Sequence, residues 1–146
     1  MFENVVESIL EKDPITSRIF LGAFAHNEIP KAPAYPSCFI INTEPRHLGG
    51  GHWLAVHYNK NGFCYFFDSY GQSPSYFELD TYLQNTSNGW TFNKKRIQGL
   101  SEYCGYYSVL FLLYKTRNQE SIFFKFFGID PFKNDKKIKQ LIDGRF

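Results

Sequence analysis

With 146 residues, 43% of them apolar, the chain is long enough to bury about two-thirds of its unfolded surface as one domain spanning 1–146, and 16 Phe, 10 Tyr and 2 Trp exclude a disordered class. A net charge of +2 excludes a general demand for a polyanionic partner, and three cysteines (Cys38, Cys64, Cys104) with no CxxC pair exclude a disulfide framework or a zinc site. The longest apolar stretch, near residues 103–114, is too short to span a bilayer, and the charges of Glu3, Glu7, Glu11 and Lys12 interrupt any signal-peptide segment, so an unsecreted, intracellular or particle-borne protein without membrane attachment is expected.

Phe2, Val5, Val6, Ile9 and Leu10 recur at helical spacing, and Asp13-Pro14 stops that helix. Pro14, Pro30, Pro33, Pro36 and Gly22 make residues 14–37 a loop with at most short strand pieces. Residues 38–42 read as a buried strand, and the triglycine 49–51 as a flexible approach to His52. Residues 53–58 and 63–67 are two strands joined by Asn59-Lys60-Asn61-Gly62, a hairpin signal. A turn over 69–75 precedes a weak helix at 76–84, and residues 90–97 form a strand that delivers Gln98. Residues 101–117 are apolar nearly all round and predict the central buried helix. Two amphipathic helices, 121–127 and 136–142, follow on either side of Gly128 to Pro131. The sequence holds no internal repeat, low-complexity tract or interdomain linker.

Four positions on this framework carry chemistry together. Cys104 opens the buried helix, where the backbone dipole favours a thiolate over a thiol. Gln98, six positions earlier, is near enough to donate a hydrogen bond to an oxyanion forming at that sulfur. His52 follows the triglycine, and Asp68 closes the apolar run 63–67. Each has a bland alternative: a packed thiol, a loop histidine, a turn-forming aspartate. Their order shifts the balance, because 16 positions separate His52 from Asp68 and a single hairpin can bring them together.

That hairpin sets a register demand. A turn symmetric about residues 60 and 61 sets His52 opposite Ser69, with Asp68 on the other face. A one-residue bulge at Gly62, which takes positive φ without penalty, moves Asp68 opposite His52. In the resulting chemistry His52 takes the Cys104 proton and returns it to the leaving amine, and Asp68 accepts from the second imidazole nitrogen. Gln98 and the Cys104 backbone N–H form the oxyanion hole. Trp53, beside the base, reads as a wall of the substrate cleft or as core. His26 and His47 sit in loops, and His57 reads as a satisfied sheet residue. Cys38 and Cys64 read as buried packing. The lysines at 133, 136, 137 and 139 make a solvated helix face that, with Lys94, Lys95 and Arg96, offers a weak anionic docking surface.

These residues resemble the adenovirus-type cysteine proteases (adenain), relatives of the ubiquitin-like-modifier proteases. The likeness runs over roughly residues 19–115. It rests on Ile19-Phe20-Leu21-Gly22 with Pro30, Cys38-Phe39-Ile40-Ile41-Asn42-Thr43, Gly50-Gly51-His52-Trp53 with Ala55, Phe66-Phe67-Asp68-Ser69-Tyr70-Gly71 with Ser73, and the segment from Gln98 to Gly105. The resemblance implies an α+β, papain-like or adenain-like fold, with a central buried helix bearing the Cys packed on a mixed β-sheet bearing the His and Asp. It also implies a triad of His52, Asp68 and Cys104 with Gln98 as oxyanion donor. Two features depart from adenain towards the modifier proteases: the acid is Asp68 rather than Glu, and the Gln98–Cys104 spacing is one residue tighter.

The function expected from this is a cysteine endopeptidase that cleaves viral capsid or core precursors in virion maturation, from an adenovirus-like virus or a Polinton-type element. It would act in the host nucleus or cytoplasm or in the virion, as a monomer. The alternatives are a ubiquitin-like-modifier isopeptidase and a silent binding module of the same fold. The sequence requires no metal and no cofactor, while the related family suggests an activating peptide or DNA. No cysteine near residues 90–95 offers the disulfide anchor that adenain uses for its peptide.

Overall fold

The computed structural model describes residues 2–44 and 51–145. The chain opens with helix α1 (Phe2–Lys12), which buries Val6 and Leu10, one turn apart, against the core. It ends as its sequence dictates. The Asp13 carboxylate accepts from the backbone N–H groups of Ile15 and Thr16 at 3.2 and 2.8 Å, and the ring of Pro14 prevents helical continuation.

Five strands follow: β1 (Phe20–Ala25), β2 (Ser37–Asn42), β3 (Trp53–Tyr58), β4 (Cys64–Phe67) and β5 (Trp90–Phe92). They form one sheet in sequence order, with β1–β2 and β4–β5 parallel and both β3 pairings antiparallel. The loop with at most short strand pieces expected at 14–37 holds a full six-residue strand instead. Pro30, Pro33 and Pro36 all fall after it, so residues 20–25 keep every ladder donor. Gly22, at φ 136°, takes up the register shift between Phe20 and Ala23.

The sheet divides two cores. On one face Cys38, Ile40, Ala55 and Phe67 pack with Tyr107 and Phe111 of helix α3 (Cys104–Lys115). On the other, Phe39, Ile41, Leu54, Val56 and Phe66 pack with Leu79 and Leu83, next to and within helix α2 (Asp80–Thr86). Burial on both faces explains why β2 and β3 read as continuous apolar runs rather than alternating ones. A 3-10 turn at Pro74–Phe77 leads into α2.

Helix α3 is buried along most of its length, as its sequence requires, and packs on β3. Helices α4 (Glu120–Phe126) and α5 (Pro131–Arg145) complete the chain. Helix α5 starts five residues before the sequence-based boundary. The signal was present in Asp130-Pro131: the Asp130 carboxylate accepts the N–H groups of Phe132 and Lys133, with proline following the cap. No helix among the described residues is long and apolar enough to cross a membrane.

Candidate active site

The sequence brings His52 to the start of β3, Asp68 to the end of β4 and Cys104 to the first turn of α3. The β3–β4 hairpin carries the first two. Its pairs Ala55↔Phe67 and Tyr58↔Cys64, with Asn59 N–H bonded to Phe63 O, close a three-residue loop whose last residue, Gly62, has φ 81°. The glycine therefore acts as expected, but the register moves in the direction opposite to the one foreseen. Continuing the ladder sets Asp68 across from Leu54, on the face that His52 shares two residues further along. His52 reaches the carboxylate diagonally, and its Nε2 lies 2.5 Å from Asp68 Oδ1.

Asp68 is completely buried, and its carboxyl oxygens are met by defined donors. Oδ1 accepts from His52 and from Tyr70 N–H at 3.2 Å, and Oδ2 accepts from Gln72 N–H at 2.9 Å. Gly71, at φ 74°, makes this tight turn possible. A Cβ there would come within 2.7–2.9 Å of the Lys95 and Arg96 backbone.

His52 is fixed on every side. Its N–H donates to Thr43 Oγ1 at 3.0 Å, and its carbonyl accepts from Thr43 N–H at 2.8 Å. Its ring lies 5.0 Å from that of Tyr70 and 6.0 Å from that of Phe77. Burial alone would disfavour the imidazolium, but hydrogen bonds to Asp68 and Cys104 outweigh it and raise the pKa to about 9. With Nε2 engaged by Asp68, Nδ1 is the ring nitrogen left for the Cys104 thiol.

Cys104 is 8% exposed, at a helix start whose first N–H groups have no intrahelical acceptor. Cys38 and Cys64 are buried completely, and that burial pushes both thiols up to about 12. All three cysteines are free.

Gln98 is buried in the segment between β5 and α3. The strand expected to reach residue 97 stops at Phe92, because Asn93 turns its side chain onto the Asp68 backbone and Lys94 adopts φ 57°. Side chains then hold the segment in place of a ladder. Arg96 donates to the carbonyls of Gln98 and Gly99 at 2.7 and 3.1 Å, and Asn134 donates to that of Ile97 at 3.0 Å. The N–H groups of Ile97 and Gln98 donate to Ser69 O. Gln98 Nε2 donates to Ser101 O at 2.7 Å, and its Oε1 accepts from Ser69 Oγ.

Of the other residues weighed, Trp53 is buried in the apolar cluster that contains Cys104. His26 lies in the turn after β1, and His47 lies outside the described residues. His57 corrects the reading of a satisfied sheet histidine: it is 8% exposed, and its Nδ1 has no hydrogen-bond partner. Tyr70, Ser69, Asn93 and Asn134 all brace the site and were not singled out by sequence. For the first two a signal existed, since they follow Asp68 in the turn; the last two are ordinary polar residues far along the chain. Among the described residues no group of three or more His, Cys, Asp or Glu side chains is placed to hold a metal ion.

Residues 20–143 match the model of the adenovirus endoprotease family. The protein named Protease of human adenovirus A serotype 12 is 34% identical over 92 residues, or 52% of this chain and 45% of that protein. Its counterpart in human adenovirus E serotype 4 is 44% identical over 57 residues, 37% of this chain and 28% of that one. The chain thus spans less than half the length of these curated relatives. The solved structure of ChlaDub1 from Chlamydia trachomatis aligns with 98% of this chain and 76% of that chain, at 15% identity and a TM-score of 0.47.

Proposed function

The chain belongs to the adenovirus endoprotease family, and from that premise we propose that it is a cysteine endopeptidase working through Cys104, His52, Asp68 and Gln98. His52 Nδ1 takes the thiol proton, and the Cys104 sulfur attacks the scissile carbonyl carbon. The oxyanion that forms is met by the Gln98 side-chain amide and the Cys104 backbone N–H. As the C–N bond breaks, the imidazolium protonates the departing amine and leaves a thioester. A water molecule, deprotonated by His52, then attacks the thioester, and the sulfur leaves to regain its proton. Asp68 keeps the imidazole oriented throughout.

The observation that carries this reading is the hydrogen bond from His52 to the buried Asp68 carboxylate, with Cys104 near enough to the same ring to help raise its pKa, the three residues coming from β4, β3 and α3. Such an arrangement serves no packing purpose that an apolar trio would not serve better. The substrates proposed are capsid or core precursor polypeptides cut during virion maturation, with Trp53 as a wall of the cleft. A second reading, removal of ubiquitin-like modifiers, is favoured by the aspartate at 68 and by the six-residue spacing from Gln98 to Cys104.

A fluorogenic peptide amide ending in Gly-Gly tests the chemistry. The parent should cleave it and Cys104→Ala should not. Iodoacetamide at neutral pH should label Cys104 and spare Cys38 and Cys64. Cleavage that survives Cys104→Ala overturns the proposal. Rapid turnover of a modifier carrying a C-terminal fluorophore, with capsid precursors untouched, moves the substrate to the second reading.

A further inference from the structure

We infer that Ser69 is a positioning residue for the oxyanion donor, selecting which end of the Gln98 amide faces the reaction; this rests on the role proposed for Gln98. A glutamine amide has an acceptor end and a donor end of nearly equal size, so shape alone does not choose between them. Only the donor end can meet an oxyanion. Gln98 is 1% exposed, so water does not decide the matter either.

Two neighbours decide it. Ser69, itself completely buried, donates its hydroxyl proton to Oε1 at 2.5 Å. Ser101 O accepts from Nε2 at 2.7 Å. In the reversed amide two acceptors, Oε1 and the Ser101 carbonyl, would face each other. One N–H is thereby spent on the Ser101 carbonyl, and the second, which has only the distant Ser101 Oγ at 3.4 Å, is the one assigned to the oxyanion. The Ser69 backbone adds a third restraint, because its carbonyl accepts the N–H groups of both Ile97 and Gln98 at 2.8 and 3.0 Å.

Ser69 also follows Asp68 directly. One dipeptide therefore orients both arms of the site: Asp68 holds the base, and Ser69 holds the oxyanion donor. Removing the hydroxyl strands a buried acceptor and frees the amide to rotate, a misplacement that costs rate without costing ground-state affinity.

Steady-state kinetics on the Gly-Gly peptide amide test this with Ser69→Ala, Gln98→Ala and the double variant. Ser69→Ala should lower kcat about tenfold or more while KM stays within about twofold and iodoacetamide modifies Cys104 at the parent rate. Gln98→Ala should lower kcat by about 10²–10³. The double variant should be no slower than Gln98→Ala alone, because a positioning residue has nothing left to position. Ser69→Thr should keep most of the parent kcat, and Ser69→Val, of the same shape without the hydroxyl, should lose it; this pair decides the matter if Ser69→Ala fails to fold. Losses that multiply in full in the double variant overturn the inference, as does slowed alkylation of Cys104 in Ser69→Ala. If Gln98→Ala is slow and Ser69→Ala is not, Ser69 alone has been misread. If Gln98→Ala keeps the parent rate, the donor itself was misassigned and the inference falls with it.

Discussion

Asn93 grips Asp68 by the backbone at both ends: its Oδ1 accepts from Asp68 N–H at 3.1 Å, and its Nδ2 donates to Asp68 O at 2.7 Å. The side-chain amide stands in for the strand partner that β5 no longer supplies, one residue past the last ladder pair, Phe66↔Phe92. Asn93→Ala leaves both Asp68 backbone groups without these partners and should destabilise the protein by about 1–3 kcal/mol. Thermal unfolding should register that loss, and kcat should fall with it because the acid is no longer seated. A kcat unchanged in a destabilised protein would show that the seat does not govern the site.

Asp68→Asn should lower kcat by up to ~10⁴ with little change in fold. In the orientation that keeps the amide oxygen on Gln72 N–H, at the expense of Tyr70 N–H, the NH₂ group turns to His52 Nε2. The imidazole then accepts there and carries its proton on Nδ1, facing Cys104, where it can no longer serve as a base. Alkylation of Cys104 by iodoacetamide should slow in parallel. Parent-like alkylation would mean that the tautomer is set elsewhere.

The raised pKa of His52 fixes the sign of one pH effect. In the unfolded chain the group titrates near 6.5, and in the folded protein Asp68 and Cys104 lift it to about 9 against the pull of burial. Its stabilising contribution is complete below pH 6.5 and is lost as pH rises through 9. The gap in melting temperature between the parent and His52→Ala should therefore be widest in acid and narrow steadily, closing as pH passes above 9. Cleavage should also decline on the alkaline side as the imidazolium is lost.

His57 gives the opposite slope. Burial, with help from the nearby charge of Lys115, depresses its pKa to about 4, so the folded state holds it neutral. That contribution is complete above pH 6.5 and is lost as pH falls towards 4, at up to about 1.4 kcal/mol per pH unit. In His57→Gln this part of the acid destabilisation should vanish while activity at neutral pH persists. A parallel acid profile in the two proteins would place the sensitive group elsewhere.

Gly71→Ala should impair both stability and turnover. The residue would need φ 74° and a Cβ within 2.9 Å of the Lys95 and Arg96 backbone, neither of which can yield at the far end of a flexible side chain. The turn from Asp68 to Gln72 would have to open. A lowered melting point with kcat reduced more than KM is raised is the expected result.

The buried helix bearing Cys104, the hairpin 53–67 and the approach of His52 to Asp68 were legible because each rests on a local signal. Those signals are an apolar run, a glycine in a tight loop, and polar residues at the ends of apolar stretches. What escaped the sequence was set by contacts distant in the chain. The strand at Phe20–Ala25 was hidden by prolines that follow it, and the early end of β5 comes from Asn93 turning to a residue 25 positions away. The hairpin register was foreseen as shifted but with the wrong sense, since loop closure through Asn59 and Phe63 depends on backbone geometry that composition does not specify. The Ser69–Gln98 bond joins two residues that nothing in their own neighbourhoods links.

Cys38 and Cys64 lie in separate cores, one on each side of the sheet, and neither has any surface open to solvent. They consequently act as two independent clocks of opening. A disulfide reagent meets Cys104 first, and consumption of the second and third thiol equivalents times when each layer comes apart. If both layers yield at one rate, the sheet and its two coverings unfold together; if one thiol is titrated well ahead of the other, a half-opened species exists, and the thiol that reacts names the layer that left.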